Sequence, residues 1–199
     1  MAETSLPPIS RFPIPDLDTL PVDIRERIEA VQDKAGFVPN VFVALAWRPD
    51  EFRAFFAYHD ALMERDASAL SKAEREMIVV ATSAANDCHY CVIAHGAILR
   101  IYAKDPLISD QLATNYRKAP VTDRQRVMLD FAVKIAVDAQ RVDDTDHRRL
   151  RDAGFDEDTI WDIGSIAAFF ALSNRLAHLS DMLPNEPFYT MGRQPRPAS

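Results

Sequence analysis

The sequence is poor in cysteine and glycine, with two cysteines and five glycines among 199 residues. Secreted scaffolds held by disulfides need more cysteines, spread along the chain so that each bond closes a long loop. The two cysteines are Cys88 and Cys91, and a bond between them would close almost no loop and add little stability. The scarcity therefore excludes a disulfide scaffold, and the pair is better explained by chemistry.

The sequence also lacks a surplus of basic residues and a long apolar run. The formal net charge of −7 and the pI of about 5.2 argue against binding to nucleic acid or to an anionic membrane surface. No uncharged apolar run reaches the roughly 18 residues that a transmembrane helix needs. Residues 1–7 have neither the basic nor the apolar region of a signal peptide. We therefore expect a cytoplasmic protein.

Helical periodicity is what the sequence has in abundance, without convincing strand alternation. It predicts an all-α, compact multi-helix bundle. We expect an extended arm over residues 1–20, a single helical domain over 21–183 and a proline-rich tail over 184–199. The predicted helices cover about 23–35, 49–64, 71–85, 88–102, 105–119, 143–153 and 156–181, with a further capped start at Thr122.

Two segments of the chain resemble each other at an offset of 51 residues. In 70–78 and in 121–129, a capping box (Ser71 with Glu74, Thr122 with Gln125) precedes Arg, then Met and an aliphatic residue. Two interpretations stay open: a duplicated helical unit, or two capped amphipathic helices that are alike by chance. The offset pairs the first cysteine with an alanine, so only one copy would carry thiols.

The cysteine pair lies at the predicted start of a helix. The preceding helix is apolar over most of its surface, and Asn86-Asp87 interrupts it because short polar side chains compete for backbone hydrogen bonds. A cysteine in a first helical turn meets unpaired N–H groups and the positive end of the helix dipole, which favour the thiolate. Thiolate is the form that attacks a peroxide or a disulfide.

Two further side chains are predicted to lie near the thiols. Cys88 and Cys91 share a helix face at a spacing of three, and His95 follows on that face one turn later. Glu76 lies about 15 Å before the break and His95 about 12 Å after it, at about 1.5 Å per residue. If the two helices form an antiparallel hairpin, Glu76 and His95 meet at one height and can move a proton to or from a thiol.

The pattern Glu76, eleven residues, Cys88-His89-Tyr90-Cys91, three residues, His95 resembles the alkylhydroperoxidase D branch of the carboxymuconolactone decarboxylase family. The segments 36–40, 70–76 and 83–86 resemble its peroxidase-related members, and the likeness extends from about residue 20 to 184. A bare CxxC would be unspecific, whereas the full Glu–CxxC–His spacing is a specific signal.

This resemblance implies an all-helical fold, a symmetric homo-oligomer and reduction of organic hydroperoxides without haem, flavin or metal. By the resemblance, Cys91 attacks the peroxide and becomes a sulfenic acid, and Cys88 is the more exposed partner that resolves it as a disulfide. Glu76 and His95 form the proton relay. The expected partners are an organic hydroperoxide and an external dithiol, thioredoxin-like or adaptor-protein reductant, with no bound cofactor.

One position departs from the family pattern. Many members have a histidine immediately before the second cysteine, where this chain has Tyr90 and carries its extra histidine at His89. Tyrosine is a poor base at neutral pH because its ordinary pKa is about 10. We treat His89 and Tyr90 as possible modulators of the thiols, and the departure leaves the activation of Cys88 open.

Other functions fit the same residues. Cys88, Cys91 and His95 could bind zinc with Glu76 as a fourth ligand, but the usual second ligand pair is missing and His59, His147 and His178 stand apart. We therefore expect no metal. A disulfide reductase, a decarboxylase-like enzyme with idle thiols and a non-catalytic redox sensor remain as alternatives.

Overall fold

The computed structural model describes residues 8–193, and this part of the chain is helical without a strand. The predicted all-α fold is confirmed. The α-helices are α1 Val22–Ala35, α2 Asn40–Leu45, α3 Pro49–Met63, α4 Lys72–Ala85, α5 His89–Ala103, α6 Ile108–Asn115, α7 Asp123–Asp138, α8 Asp144–Asp152, α9 Glu157–Ser180 and α10 Pro187–Thr190. In the described residues, none of these helices is long and apolar enough to cross a bilayer.

Helix α4 is the centre of the bundle. Every residue from Glu74 to Ser83 is buried, because α5, α6, α7 and α9 all pack against this one helix. The small and branched side chains of Ile78, Val79 and Val80 are fully excluded from solvent. The sequence prediction of a helix buried on most sides is confirmed. Helix α5 packs back along α4, so the two form the expected hairpin.

Hydrogen-bonded caps fix where the central helices begin. The Ser71 hydroxyl accepts from the Glu74 backbone N–H at 3.2 Å, and the Glu74 carboxylate accepts from the Ser71 N–H at 3.0 Å. Thr122 and Gln125 form the same capping box at the start of α7. The other Glu74 oxygen accepts from Arg124 at 2.8 Å, which ties the starts of α4 and α7 together.

The segments on either side of the bundle are packed against it. The Arg11 N–H donates to the Ser180 carbonyl at 2.7 Å, and Phe12 stacks on Trp47 with ring centroids 5.3 Å apart. After α9, the Asn185 amide donates to the Val38 carbonyl at 2.9 Å. Residues 1–7 of the arm and 194–199 of the tail lie outside the described residues.

Two short helices were not predicted from the sequence. Helix α2 has six residues and α10 has four, too few for a hydrophobic period to be recognised. Buried Arg100 explains why α10 is held in place, since its guanidinium donates to the Phe188 carbonyl at 2.7 Å and to the Met191 carbonyl at 2.9 Å. Such a contact links distant parts of the chain and leaves no local pattern.

Replacing Ser71 with alanine is expected to lower the free energy of unfolding by about 1 kcal/mol, because the first N–H groups of α4 lose their cap. Urea denaturation followed by circular dichroism measures this change. Thr114 is an exposed helical residue and provides the matched control, since Thr114→Ala removes a hydroxyl without removing a cap. Equal stability of the Ser71→Ala variant and the wild type would contradict the capping role.

Candidate active site

The two cysteines lie where α4 gives way to α5. Cys88 is the N-cap of α5, so the helix begins at His89, and the cap is neither Asn86 nor Asp87 as the sequence suggested. Asp87 instead takes a left-handed backbone conformation with a φ of 52°, which turns the chain between the helices. The N–H of Cys88 donates to the Ser83 carbonyl at 2.9 Å.

Both thiols are reduced and buried, with relative exposures of 1% each. These values are equal for the two residues and do not show the expected greater exposure of Cys88. The two differ in their surroundings instead. Cys88 lines an open cavity of about 160 Å³, here called the polar pocket, together with Asp87, His89, His178 and Asp181. Cys91 lies deeper and has the Ser173 hydroxyl 3.9 Å from its sulfur.

The pKa values of the two cysteines are shifted in opposite directions. A hydrogen bond from the Cys91 thiol, above all, lowers the pKa of Cys88 to about 7, although burial opposes this shift. The Cys91 N–H, the charge of His178 and the Asn174 amide lower this pKa further. The same thiol–thiol hydrogen bond, followed by burial, raises the pKa of Cys91. Of the two residues, Cys88 is therefore the one that ionises first as the pH rises, and Cys91 stays protonated.

A polar network from α9 supports this pair and was missed from the sequence. Asn174 is fully buried, donates to the Ser83 hydroxyl at 2.9 Å and accepts from the Asn86 amide at 3.0 Å. His178, one turn further along α9, donates from Nε2 to the Asn86 carbonyl at 2.9 Å. The sequence offered one signal, since three polar residues fall close together late in an otherwise apolar helix.

Glu76 and His95 meet as the hairpin arithmetic predicts. A Glu76 carboxylate oxygen lies 2.8 Å from His95 Nδ1, and both side chains are largely buried. Since a carboxylate can only accept, Nδ1 carries the hydrogen and Nε2 is left to exchange a proton elsewhere. The His95 ring packs edge-on against Phe170, with centroids 4.7 Å apart, which fixes its orientation.

A second histidine packs against the same phenylalanine. The His59 ring centroid is 6.4 Å from that of Phe170, so this residue does not stand apart as its position in the sequence suggested. His59 Nδ1 is 3.0 Å from Asp60, which in turn accepts from Arg27 at 2.9 Å. Burial lowers the pKa of His59, with a smaller contribution from the charge of His95.

The two possible modulators have different surroundings. The Tyr90 hydroxyl accepts from the Val41 N–H at 3.2 Å, and burial raises the pKa of this phenol. Tyr90 therefore links α5 to α2 through a buried hydrogen bond and cannot act as a base near neutral pH. His89 is paired with the Tyr189 hydroxyl at 3.0 Å on the rim of the polar pocket. Within residues 8–193, no three His, Cys, Asp or Glu side chains converge as metal ligands.

The fold and the site together define a helical protein with a buried dithiol and an adjacent carboxylate–imidazole pair. Residues 49–105, which include all four of these side chains, match the carboxymuconolactone decarboxylase family. A peroxidase-related protein from Ralstonia eutropha, described as an alkylhydroperoxidase AhpD core, is 62% identical, with coverage of 96% of this chain and 100% of that one and a TM-score of 0.94. The chain therefore belongs to the alkylhydroperoxidase D-like, peroxidase-related branch of that family.

More distant comparisons agree on the fold. A peroxidase-related protein from Silicibacter is 40% identical, covers 96% of this chain and 100% of its own, and has a TM-score of 0.89. The debrominase Bmp8 is 18% identical, with coverage of 92% and 95% and a TM-score of 0.72, which shows a shared fold alone. No protein in the curated set compared with this chain matches it.

Replacing His178 with glutamine is expected to raise the pKa of Cys88, because the variant keeps a donor for the Asn86 carbonyl but removes the charge that favours the thiolate. The thiolate fraction near pH 7 should fall accordingly. The pH dependence of the alkylation rate by monobromobimane measures it. His147→Gln, on the distant helix α8, is the matched control. An unchanged alkylation profile for His178→Gln would show that this histidine does not tune the thiol.

Proposed function

We propose that this protein is a thiol-dependent peroxidase that reduces organic hydroperoxides through a Cys88–Cys91 dithiol–disulfide cycle. The observation that supports this most directly is a pair of buried, reduced cysteines at the start of the helix that also carries His95, whose ring lies 2.8 Å from Glu76. The lowered pKa of Cys88, about 7, agrees with it. The family names of the close relatives point to the same chemistry. This combination supplies both a sulfur nucleophile and a site for the displaced proton.

In the first half-reaction, Cys91 attacks the peroxide. Its proton passes to His95 Nε2, and the resulting thiolate displaces the alkoxide from the terminal peroxide oxygen. The O–O bond breaks, a Cys91 S–O bond forms, and the alkoxide takes up a proton and leaves as the alcohol. The sulfur is oxidised to a sulfenic acid while the peroxide is reduced.

In the second half-reaction, the Cys88 thiolate attacks the sulfur of the Cys91 sulfenic acid. A disulfide forms and hydroxide leaves as water once it is protonated. Proximity favours this step, because Cys88 caps α5 and Cys91 lies in the first turn of the same helix. An external dithiol, thioredoxin-like or adaptor protein then reduces the disulfide, and the polar pocket gives it a route to Cys88.

Glu76 and His95 act in this scheme as the proton relay. The carboxylate fixes the imidazole tautomer at 2.8 Å, so that the same nitrogen always faces away from Glu76. His95 takes a proton when Cys91 ionises and returns it to the leaving alkoxide. Both groups are shielded from bulk water, which keeps their protons within the site.

A homo-oligomer remains part of the proposal. Among the described residues, Trp161 has a relative exposure of 73% and Val137 one of 53%, unusually high values for apolar side chains of this size. Both residues belong to neighbouring helices, α9 and α7, that pack on each other. A second copy of the chain would remove such surface from water.

Disulfide exchange with another protein is a second candidate function. Two observations favour it. Cys88 lines an open pocket, and its pKa of about 7 suits thiol–disulfide exchange near neutral pH. Rates measured side by side on an alkyl hydroperoxide and on a protein disulfide separate the two functions. A faster reaction with the protein disulfide would favour exchange.

Replacing Cys91 with serine is expected to abolish hydroperoxide consumption in a dithiol-coupled assay, because the attacking sulfur is lost. Turnover should fall to the uncatalysed background. Ser68→Ala, remote from the thiols in the α3–α4 connection, serves as the control. A Cys91→Ser variant that retained wild-type turnover would overturn the assignment of the nucleophile.

Replacing Cys88 with serine is expected to separate the half-reactions. The variant should consume about one equivalent of hydroperoxide per chain and then stop, because the sulfenic acid at Cys91 has no resolving thiol. Mass spectrometry after treatment with dimedone locates the adduct. An adduct at Cys91 supports the proposed order, and continued turnover without Cys88 contradicts it.

Replacing Glu76 with glutamine is expected to lower kcat/KM by about 100-fold, the usual order for a lost general acid–base group. The amide can keep the hydrogen bond to His95 but cannot hold a proton, so the pH–rate profile should also change shape. Glu26→Gln, on the exposed face of α1, is the matched control. A loss of activity with an unchanged profile would indicate a structural role instead.

A further inference from the structure

We propose that an apolar pocket, separated from the polar pocket by a small inner cavity, binds the organic group of the hydroperoxide, and that it selects compact, uncharged, branched or aromatic groups. This apolar pocket has a volume of about 230 Å³ and lies between α2, α3, α9 and the N-terminal arm, where Phe12, Trp47, Phe55, Leu176 and Leu179 line it. The inference rests on the proposed peroxidase function.

A small inner cavity lies between the apolar pocket and the residues that surround the thiols. It has a volume of about 10 Å³, the size of about one water molecule, and is lined by Tyr90 and Ser173. Ser173 is the residue whose hydroxyl lies 3.9 Å from the Cys91 sulfur. Through Ser173, the inner cavity comes close to Cys91 and offers a place for the peroxide oxygens.

Lining residues in common show that the inner cavity adjoins both the apolar pocket and the polar pocket. Leu45, Phe55 and Leu176 line both the inner cavity and the apolar pocket. Tyr90, Ala177 and Met182 line both the inner cavity and the polar pocket. The inner cavity therefore lies between the other two. Leu45 and Leu176 form the wall that it shares with the apolar pocket, and a change in their rotamers would widen the passage between these two cavities.

The charges of the apolar pocket favour a neutral occupant. Among the described residues that line it, the one cation is Arg48, which is paired with Glu51 with nitrogen and oxygen 2.7 Å apart. The same guanidinium also makes a cation–π contact with Trp47, 5.4 Å from the centre of the ring. A carboxylate or phosphate on the ligand would find no free counter-charge, so a purely hydrocarbon group is the better fit.

The size of the apolar pocket limits the group that it can accept. Pockets for drug-sized ligands hold roughly 300–1,000 Å³, more than the 230 Å³ found here. Stacked Phe12 and Trp47 close one side, since their rings are 5.3 Å apart and nearly parallel. A tertiary alkyl or cumyl group fits such a space, whereas an extended lipid chain would have to leave much of its length in water.

Kinetics on two peroxides tests the proposal. Leu179 lines the apolar pocket and is exposed to solvent, so Leu179→Trp adds an indole there without disturbing the core. The expected result is a loss of about tenfold in kcat/KM for cumene hydroperoxide. The loss should come mainly from KM, while kcat/KM for hydrogen peroxide changes less than twofold. Leu172→Trp is the matched control, because it adds the same side chain at an exposed position of α9 outside the pocket.

Binding of the product alcohol tests the pocket independently of turnover. Saturation-transfer NMR with cumyl alcohol should show contact with the wild type and with Leu172→Trp, and a lost signal with Leu179→Trp. Equal losses on both peroxides, equal effects of both variants, or no contact of the alcohol with the wild type would overturn the inference. Alcohol binding without any peroxide reduction would leave the pocket intact and refute the peroxidase function.

Discussion

The buried hydrogen bond between Glu76 and His95 is the constraint on which the site depends. A carboxylate and an imidazole taken out of water are costly unless each finds the other, and here their atoms are 2.8 Å apart. That pairing is possible in only one register of the α4–α5 hairpin. The same register places the cysteine pair at the start of α5, so the relay and the nucleophile are fixed by one packing arrangement.

Helix α9 supplies the polar side chains that surround the thiols. Its buried face is mostly apolar, yet it turns Ser173 and Asn174 toward the thiols and His178 toward the polar pocket. Full burial of the Asn174 amide is tolerated because its oxygen and its nitrogen both have partners on α4 and the segment after it. The asymmetry between the two sulfurs therefore arises from a distant helix, not from the CxxC segment alone.

Local patterns were enough to predict much of this arrangement. Capping boxes at Ser71 and Thr122, the break at Asn86-Asp87 and the count of residues to His95 gave the helices and the Glu76–His95 contact, because each depends on neighbours in the chain. The roles of Asn174 and His178 could not be predicted in this way. Their partners lie about 90 residues away, and no periodicity records which turn of α9 faces the thiols.

The position of the dithiol between unlike cavities gives the proposed cycle a direction. Cys88, with its lowered pKa, borders the polar pocket, while Ser173, whose hydroxyl lies 3.9 Å from the Cys91 sulfur, lines the inner cavity that adjoins the apolar pocket. A neutral hydroperoxide and a polar thiol reductant would then approach from opposite sides. Because both cysteines lie at the start of α5, oxidation of Cys91 leaves Cys88 close enough to form the disulfide. The reductant consequently needs access only to Cys88.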